Sequence, residues 1–268
     1  KVDMAVDLKG HTKGNRLNIL SSKPCPVQMS YLGYPGTLGT NFIDYLIFDE
    51  YVVTKMNRKY LSEKIIYLPN CYQCNDFSTV NKPIISRNEL NLPEKSFVFS
   101  CLNNPIKIND EIVKAWSRIL NMLDNSILWI LDYNIYFKKN LLMAFSKYGV
   151  NLKKIIFAPR VSYDKHINRL SQADLFLDTY PCNAHTTAVE HIWSEVPVLT
   201  LSGKTIASRV AGSINKNIGL SELICETYDE YEKRAIFLAN NKKMLIEIKN
   251  KIKRNKKTMT LFDTKLFA

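Results

Sequence analysis

From residue 96 onward short apolar runs alternate with amphipathic stretches, and this alternation restricts the fold more than any other property of the chain. Residues 97–101, 127–131, 155–158, 175–177 and 197–201 read as strands. Residues 110–123 read as a helix with Ile112, Trp116, Ile119, Leu120 and Leu123 on its inner face, and 141–148, 164–171 and 206–214 as further helices. Another helix begins at Thr186, with Val189, Ile192 and Trp193 on one side. Such alternation builds right-handed βαβ units, so the expectation is an α/β fold with a doubly wound parallel sheet. Two consecutive helices rich in lysine, leucine and isoleucine follow over residues 228–256.

Upstream the pattern is looser. Residues 2–8 alternate as a buried strand and lead into a polar turn at 10–16; residues 26–32, 45–48 and 64–68 give three more strands. Residues 70–93 lose periodicity and carry two prolines among many polar residues, which marks a linker. The expected organisation is therefore a first unit over 1–70, a linker over 71–95 and a second unit over 96–268.

Composition narrows the classes of partner. The formal charge of +12 invites a nucleic-acid reading, but the lysines are dispersed among asparagines and isoleucines. The one dense basic run, 251–257, reads as a solvated helix face, and no aromatic-basic module accompanies it, so no nucleic-acid partner is expected. Six irregularly spaced cysteines fit reduced thiols and a cytoplasmic location. Cys71 and Cys74 form a lone C-x-x-C with no second pair, so no metal is expected. No apolar span reaches the length of about 18 residues that crosses a bilayer, and the opening KVDMAVDL lacks the form of a signal peptide. The expectation is a soluble, unexported protein without a membrane partner. A strand at the second residue also suggests that an upstream part of the fold is missing.

In open parallel sheets ligands bind at the carboxyl ends of the strands. Three segments leave such ends: CLNNPIK, PRVSYDKH and YPCNAHTT. They bring Lys107, His166, His185, Thr186 and Thr187 to one crevice. The first turn of a helix offers unpaired N–H groups and a positive dipole end, which suits phosphate, and the two threonines add hydroxyl donors. Glu190, one turn further, could accept hydrogen bonds from a ribose. A lysine beside that helix end is what a departing diphosphate needs. The competing reading is a threonine-capped crossover helix with a surface lysine and a helix-face histidine. Residues 33–37, GYPGT, fit either a tight turn or a place where something approaches the main chain closely.

Taken together, LFLDTYPCNAHTT, PVLTLSGKTIASRVA, LGYPGT, LNNPIKI and DLKGHTKGNR occur in an order that resembles glycosyltransferase family 41, the family of the protein O-linked N-acetylglucosamine transferases and their SPINDLY-type relatives. The likeness runs over nearly the whole chain. It implies a GT-B fold, with two Rossmann-like domains across a cleft, the N-terminal one incomplete here. It also implies an inverting, metal-independent transfer from a UDP-sugar, most simply UDP-GlcNAc, to serine or threonine hydroxyls of a protein or peptide acceptor, with no cofactor.

By position, Lys107 resembles the lysine that stabilises the departing diphosphate, and Thr186 and Thr187 the phosphate-binding pair. His185 and the Cys182 loop resemble the elements against the sugar, Glu190 the acid on ribose, His166 the histidine bordering uracil, and Val161 the backbone partner of the base edge. Gly33 and Pro35 resemble the cleft wall near the acceptor. Asn104 stands where animal members have glutamine, Ile106 where they have tyrosine, and Tyr163 where they have a lysine, which brings the chain closer to bacterial or SPINDLY-like forms. His11 lies in a strand-end loop on the acceptor side, where animal members carry tyrosine; it reads as a solvated turn residue, and no residue is nominated as general base. The tetratricopeptide repeats, the upstream histidine loop and the final helix that packs back across the two domains are expected to be absent. Two alternatives follow: a catalytically silent nucleotide-sugar-binding fragment, and a SPINDLY-like fucosyltransferase using GDP-fucose.

Overall fold

A computed structural model describes residues 2–73, 75–77, 83 and 85–267. The first part contains β1 (Met4–Asp7), α1 (Leu17–Leu20), β2 (Val27–Tyr31), β3 (Tyr45–Asp49), α2 (Lys55–Arg58) and β4 (Lys64–Leu68). These strands form a parallel sheet in the order β1-β2-β3-β4. The expectation that residues 2–8 form a buried strand is corrected. Met4 is 60% and Val6 47% exposed, because β1 pairs only with β2 and no described element covers its outer side.

The second part runs β5 (Phe97–Cys101), α3 (Asp110–Asn121), β6 (Ser126–Leu131), α4 (Ile135–Lys147), β7 (Ile155–Ala158), α5 (Tyr163–Leu170), β8 (Leu175–Leu177), α6 (Thr186–Trp193), β9 (Val198–Leu201), α7 (Val210–Asn217), β10 (Ile224–Cys225), α8 (Tyr228–Asn240), α9 (Lys242–Asn255) and α10 (Thr264–Phe267). Its six strands are parallel in the order β10-β9-β8-β5-β6-β7. The chain starts in the middle at β5, winds out to β7, returns to β8 and winds out the other way. The switch point thus lies between β5 and β8, where the loops leaving two neighbouring strands diverge and open a crevice.

Local chemistry explains the elements. Asn109 caps α3 by accepting the Ile112 N–H at 2.9 Å, and Asp110 and Glu111 complement the helix dipole. Helix α4 starts six residues before the expected position because Asn134 caps it, accepting the Phe137 N–H at 2.8 Å. Its first residues, Ile135 and Tyr136, are exposed, so apolar periodicity does not reveal them. The helix expected over 206–214 is a short 3-10 turn, Ile206–Ser208, followed by α7.

One apolar core runs through both parts, from Leu46 and Phe48 on β3 to Phe99, Trp116, Trp129, Phe145, Phe176 and Tyr231. Residues 71–95 include the buried Cys71, Tyr72, Phe77 and Leu92, with the Phe77 ring stacked 5.0 Å from that of Trp193. Cys74 lies outside the described residues. At the joint, Asp49 accepts from Val52 N–H (2.8 Å), Tyr72 N–H (2.9 Å) and the Ser213 hydroxyl of α7 (2.6 Å). At the end of the described chain, Phe267 of α10 stacks on Tyr31 of β2 at 6.2 Å. Among the described residues no helix is long and apolar enough to cross a membrane.

Candidate functional site

The crevice at the switch point is built by the loops after β5 and β8. Asn103, buried behind the first, donates from Nδ2 to Thr179 Oγ1 at 2.9 Å. The exposed Asn104 caps the turn Pro105–Lys107 by accepting the Ile106 N–H at 3.2 Å. That turn points Lys107, half-buried, across the switch point, where its Nζ donates to the Asn183 carbonyl at 2.6 Å. Asn109 joins the same two loops, donating to the Tyr180 carbonyl at 2.8 Å.

The β8 loop is wound around Asp178, which has no solvent exposure. Its carboxylate accepts from Thr179 N–H (2.8 Å), Ala184 N–H (2.7 Å) and the Thr200 hydroxyl (2.6 Å). Burial nevertheless pushes its pKa up to about 6, against the opposing pull of those donors and of Lys107. The Asp178 carbonyl accepts from the Tyr231 hydroxyl at 2.9 Å, and Tyr231 accepts from the Trp116 indole at 3.2 Å. Cys182 is half-buried, and its carbonyl accepts from Thr179 Oγ1 at 2.7 Å. Asn183 donates its amide to the carbonyls of Thr179 (3.0 Å) and Leu201 (3.2 Å), which fixes the carbonyl that receives Lys107.

His185 precedes α6 with its ring deep in the loop. Burial, then the nearby Lys107, push its pKa down to about 3, so the ring is neutral near pH 7, and Nε2 has no protein partner. Thr186 is exposed and Thr187 half-buried on the first turn of α6. Within that helix His191 donates from Nδ1 to the Thr187 carbonyl at 2.7 Å, which leaves Nε2 to accept from the Ser100 hydroxyl at 3.2 Å. Its ring packs 4.2 Å from that of Phe176, and burial pushes its pKa down to about 3. This histidine pins the first turn of α6 to β5 and β8.

One turn further, Glu190 is buried and its Oε2 lies 3.5 Å from His166 Nε2. Arg169 contacts His166 Nδ1 at 3.2 Å; an arginine only donates, so the proton of a neutral His166 sits on Nε2, toward Glu190. Tyr163 also faces Glu190, whose charge adds to burial in raising its pKa. Val161 is exposed, two residues before α5.

On the first sheet, His11 donates from Nε2 to the Leu38 carbonyl at 2.9 Å and meets the Tyr34 ring edge-on at 5.3 Å. A side chain at Gly33 would overlap the Leu8 carbonyl oxygen, so the loops after β1 and β2 interlock there. The structure therefore joins Lys107 to the loop of Cys182, His185, Thr186 and Thr187, and joins His166 to Glu190. His11, Gly33 and Pro35 form a separate group at the ends of β1 and β2. Two cavities lie elsewhere: one of ≈ 660 Å³ by Phe97 and Ser126, at the amino ends of β5 and β6, and one of ≈ 650 Å³ beside Tyr51, Ser213 and Thr258 at the joint.

The sequence profile described as glycosyl transferase family 41 matches residues 1–85 and 78–268. This chain belongs to glycosyltransferase family 41. A probable UDP-N-acetylglucosamine–peptide N-acetylglucosaminyltransferase of Arabidopsis thaliana, SEC, is 37% identical over 271 residues, which cover 98% of this chain and 28% of that protein. The SPINDLY protein of the same plant, with the same probable activity in its name, is 30% identical over 246 residues, 90% of this chain and 27% of its own length. Among solved structures, a mutant O-GlcNAc transferase from Thermobaculum terrenum superimposes with a TM-score of 0.87 at 26% identity, covering 95% of this chain and 48% of that one. The family 41 chain thus has the α/β architecture of the GT-B glycosyltransferases, and spans about a quarter of the length of these plant relatives. Asp178 and His191, which hold the family 41 loop in shape, escaped the reading of the sequence: Asp178 follows the short apolar run of β8 and His191 stands beside Glu190 within α6, and only the position behind the loop identifies each.

Proposed function

We propose that this family 41 chain forms the donor side of a protein O-glycosyltransferase that moves N-acetylglucosamine from UDP-GlcNAc to serine or threonine hydroxyls, by an inverting mechanism without a metal. The observation that carries the proposal is the Lys107 amine held on the Asn183 carbonyl at the switch point. A carbonyl takes one of the three N–H donors of an ammonium and leaves the charge in place for a diphosphate. Thr186, Thr187 and the free N–H groups of the first turn of α6 take the remaining phosphate oxygens, and Glu190 takes the ribose hydroxyls. The base lies toward His166 and the Val161 backbone, and the sugar against neutral His185 and the Cys182 loop. The acceptor oxygen attacks the anomeric carbon from the face opposite the nucleotide. As that bond forms, the bond to the β-phosphate oxygen breaks, and UDP departs with the electron pair, its charge met by Lys107 and the helix end. The hydroxyl proton passes to a base that these residues do not include. The acceptor enters past the group of His11, Gly33 and Pro35.

The domain division at 1–70, 71–95 and 96–268 is part of the proposal, supported by the two sheets on either side of residues 69–96. A cytoplasmic location is supported by the thiols of Cys25, Cys101, Cys182 and Cys225, which are free among the described residues. A second reading, in which this stretch binds the donor and turns over only within a longer polypeptide, is favoured by the 28% and 48% of its relatives that it spans.

The test is a titration of UDP and GDP with transfer assayed on the same preparation, for the chain and for Lys107→Ala. Transfer is expected to fall by about 100- to 1,000-fold on loss of the amine, with the melting temperature unchanged. Turnover that survives the substitution defeats the assignment of Lys107. Saturable UDP binding without turnover, with transfer restored in a longer polypeptide, selects the second reading. Tighter binding of GDP than UDP rejects the donor.

A further inference from the structure

Arg209, just before α7, ties the first sheet to the loop that leaves β9. Its Nε–H donates to the carbonyl of Tyr51 at 2.7 Å, and Nη1–H to the carbonyl of Gly203 at 3.0 Å. The guanidinium also lies over the Tyr51 ring, 4.5 Å from its centroid. Tyr51 follows β3, and its hydroxyl donates to Ser202 Oγ at 3.1 Å. The fit leaves no slack. A Cβ on Gly212 would lie 2.6 Å from the Tyr51 hydroxyl oxygen, and one on Gly203 would lie 2.6 Å from Ser208 Oγ and 2.8 Å from the Tyr180 ring.

The loop held in this way is closed on itself, with Gly203 N–H bonded to the Ser208 carbonyl at 3.0 Å and Ser208 N–H to the Thr205 carbonyl at 3.1 Å. From it the Ala207 carbonyl accepts the Asn183 N–H at 2.9 Å. Asn183 is also the residue whose carbonyl receives the Lys107 amine. An unbroken run of short polar contacts therefore leads from Tyr51, through Arg209 and the 203–208 loop, to Asn183 and Lys107.

We propose that Arg209 is a positioning residue for transfer: by clamping Tyr51 of the first sheet to the 203–208 loop, it sets where the Asn183 carbonyl, and hence the Lys107 amine, stands against the diphosphate. The inference rests on the donor-site reading above. A guanidinium suits the task because its planar fork reaches two carbonyls from different parts of the chain while its face covers an aromatic ring, which an ammonium cannot do. Reacting and stabilising groups tolerate little displacement, a shift of about 1 Å being enough to cost on the order of 100-fold in rate.

The experiment is a double-mutant cycle on the full chain, with UDP affinity measured by calorimetry for the unaltered protein, Arg209→Lys, Lys107→Ala and the pair. If Arg209 acts through the amine, Arg209→Lys weakens UDP binding by about tenfold when Lys107 is present and by less than about twofold when it is absent, as coupled members of one network do. A residue that merely supports the fold gives the same loss in both backgrounds, and that result overturns the inference. Should Arg209→Lys fail to fold, Tyr51→Phe, which removes only the bond to Ser202, carries the same comparison with a smaller loss. Absence of UDP binding in the unaltered chain overturns the donor-site reading and this inference together; binding with additive losses overturns this inference alone.

Discussion

Replacing Asp178 by asparagine separates what its charge does from what its shape does. The carboxylate is sealed from solvent and receives three donors within 2.8 Å, from Thr179, Ala184 and Thr200, with Asn103 Nδ2 at 3.4 Å. Burial pushes its pKa up to about 6. Relative to an ordinary aspartate, that disfavours the ionised form in the fold by about 3 kcal/mol. The folded value lies above the unfolded one, so the contribution to stability is complete below about pH 4 and is lost as the pH rises through about 6. The charged and titratable groups that face Asp178 are Lys107, Cys101 and Tyr231, and burial drives the Cys101 and Tyr231 pKa values up, away from that window. An amide at the position accepts from the same two N–H groups, and the Thr200 hydroxyl can turn to accept from its Nδ2. Urea unfolding of both proteins, followed by the fluorescence of buried Trp116 and Trp129, gives the difference in stability at each pH, in which all unaltered groups cancel. That difference should move in favour of Asp178→Asn by about 3 kcal/mol between pH 4 and pH 7. Asp178→Ala strands two N–H groups and a hydroxyl at about 1–3 kcal/mol each, and should be the less stable variant at every pH. A difference between Asp178→Asn and the unaltered chain that ignores pH refutes the electrostatic reasoning, and equal losses for the two variants refute the hydrogen-bonding part.

Two further outcomes are expected. Arg87 donates to the carbonyls of Ser96 (2.8 Å), Glu94 (3.2 Å) and Gln172 (3.1 Å) and pairs with Asp174 at 2.8 Å, so Arg87→Met should lower the unfolding free energy by about 2–4 kcal/mol in a urea titration. Glu190→Gln keeps the buried volume but gives up the charge facing His166 and, under the proposed function, the ribose; UDP affinity should fall by about tenfold by calorimetry, with the urea midpoint nearly unchanged.

The elements that could be read to the residue are β4, β5, β7 and β8, and in β4, β7 and β8 the apolar run stops at a proline or an aspartate. What the sequence concealed has two physical causes. Ile135 and Tyr136 open α4 facing solvent, so its start is announced by the Asn134 cap and not by periodicity, and β10 is two residues long, too short for any period. The buried face expected of β1 failed for a different reason: apolar alternation reports what a strand can bury, while its place at the edge of the sheet decides what it does bury. In the site, Lys107, His185 and the threonines were legible because loop composition and strand ends are local. Asp178, His191 and Arg209 were not, because their roles depend on partners far away in sequence, such as Thr200, Ser100 and Tyr51.

The way charge is distributed over the crevice bears on which way round the proposed donor would lie. Lys107 is held by a neutral carbonyl, so its charge is not cancelled by its own anchor, and the buried carboxylate of that loop, Asp178, is committed to backbone and hydroxyl donors. His185, whose pKa is pushed down to about 3, adds no second cation that would trap the departing diphosphate. Glu190 stands one helical turn away from Thr186 and faces His166, where a second negative group would be repelled while hydroxyl groups could donate to its carboxylate. A cationic end and an acidic end separated by a single turn of α6 match a ligand that is anionic at one end and rich in hydroxyls next to it. Under the proposed function, a nucleoside diphosphate would meet that requirement with its phosphates toward Lys107 and its ribose toward Glu190, which would direct the transferred sugar to His185 and the first sheet.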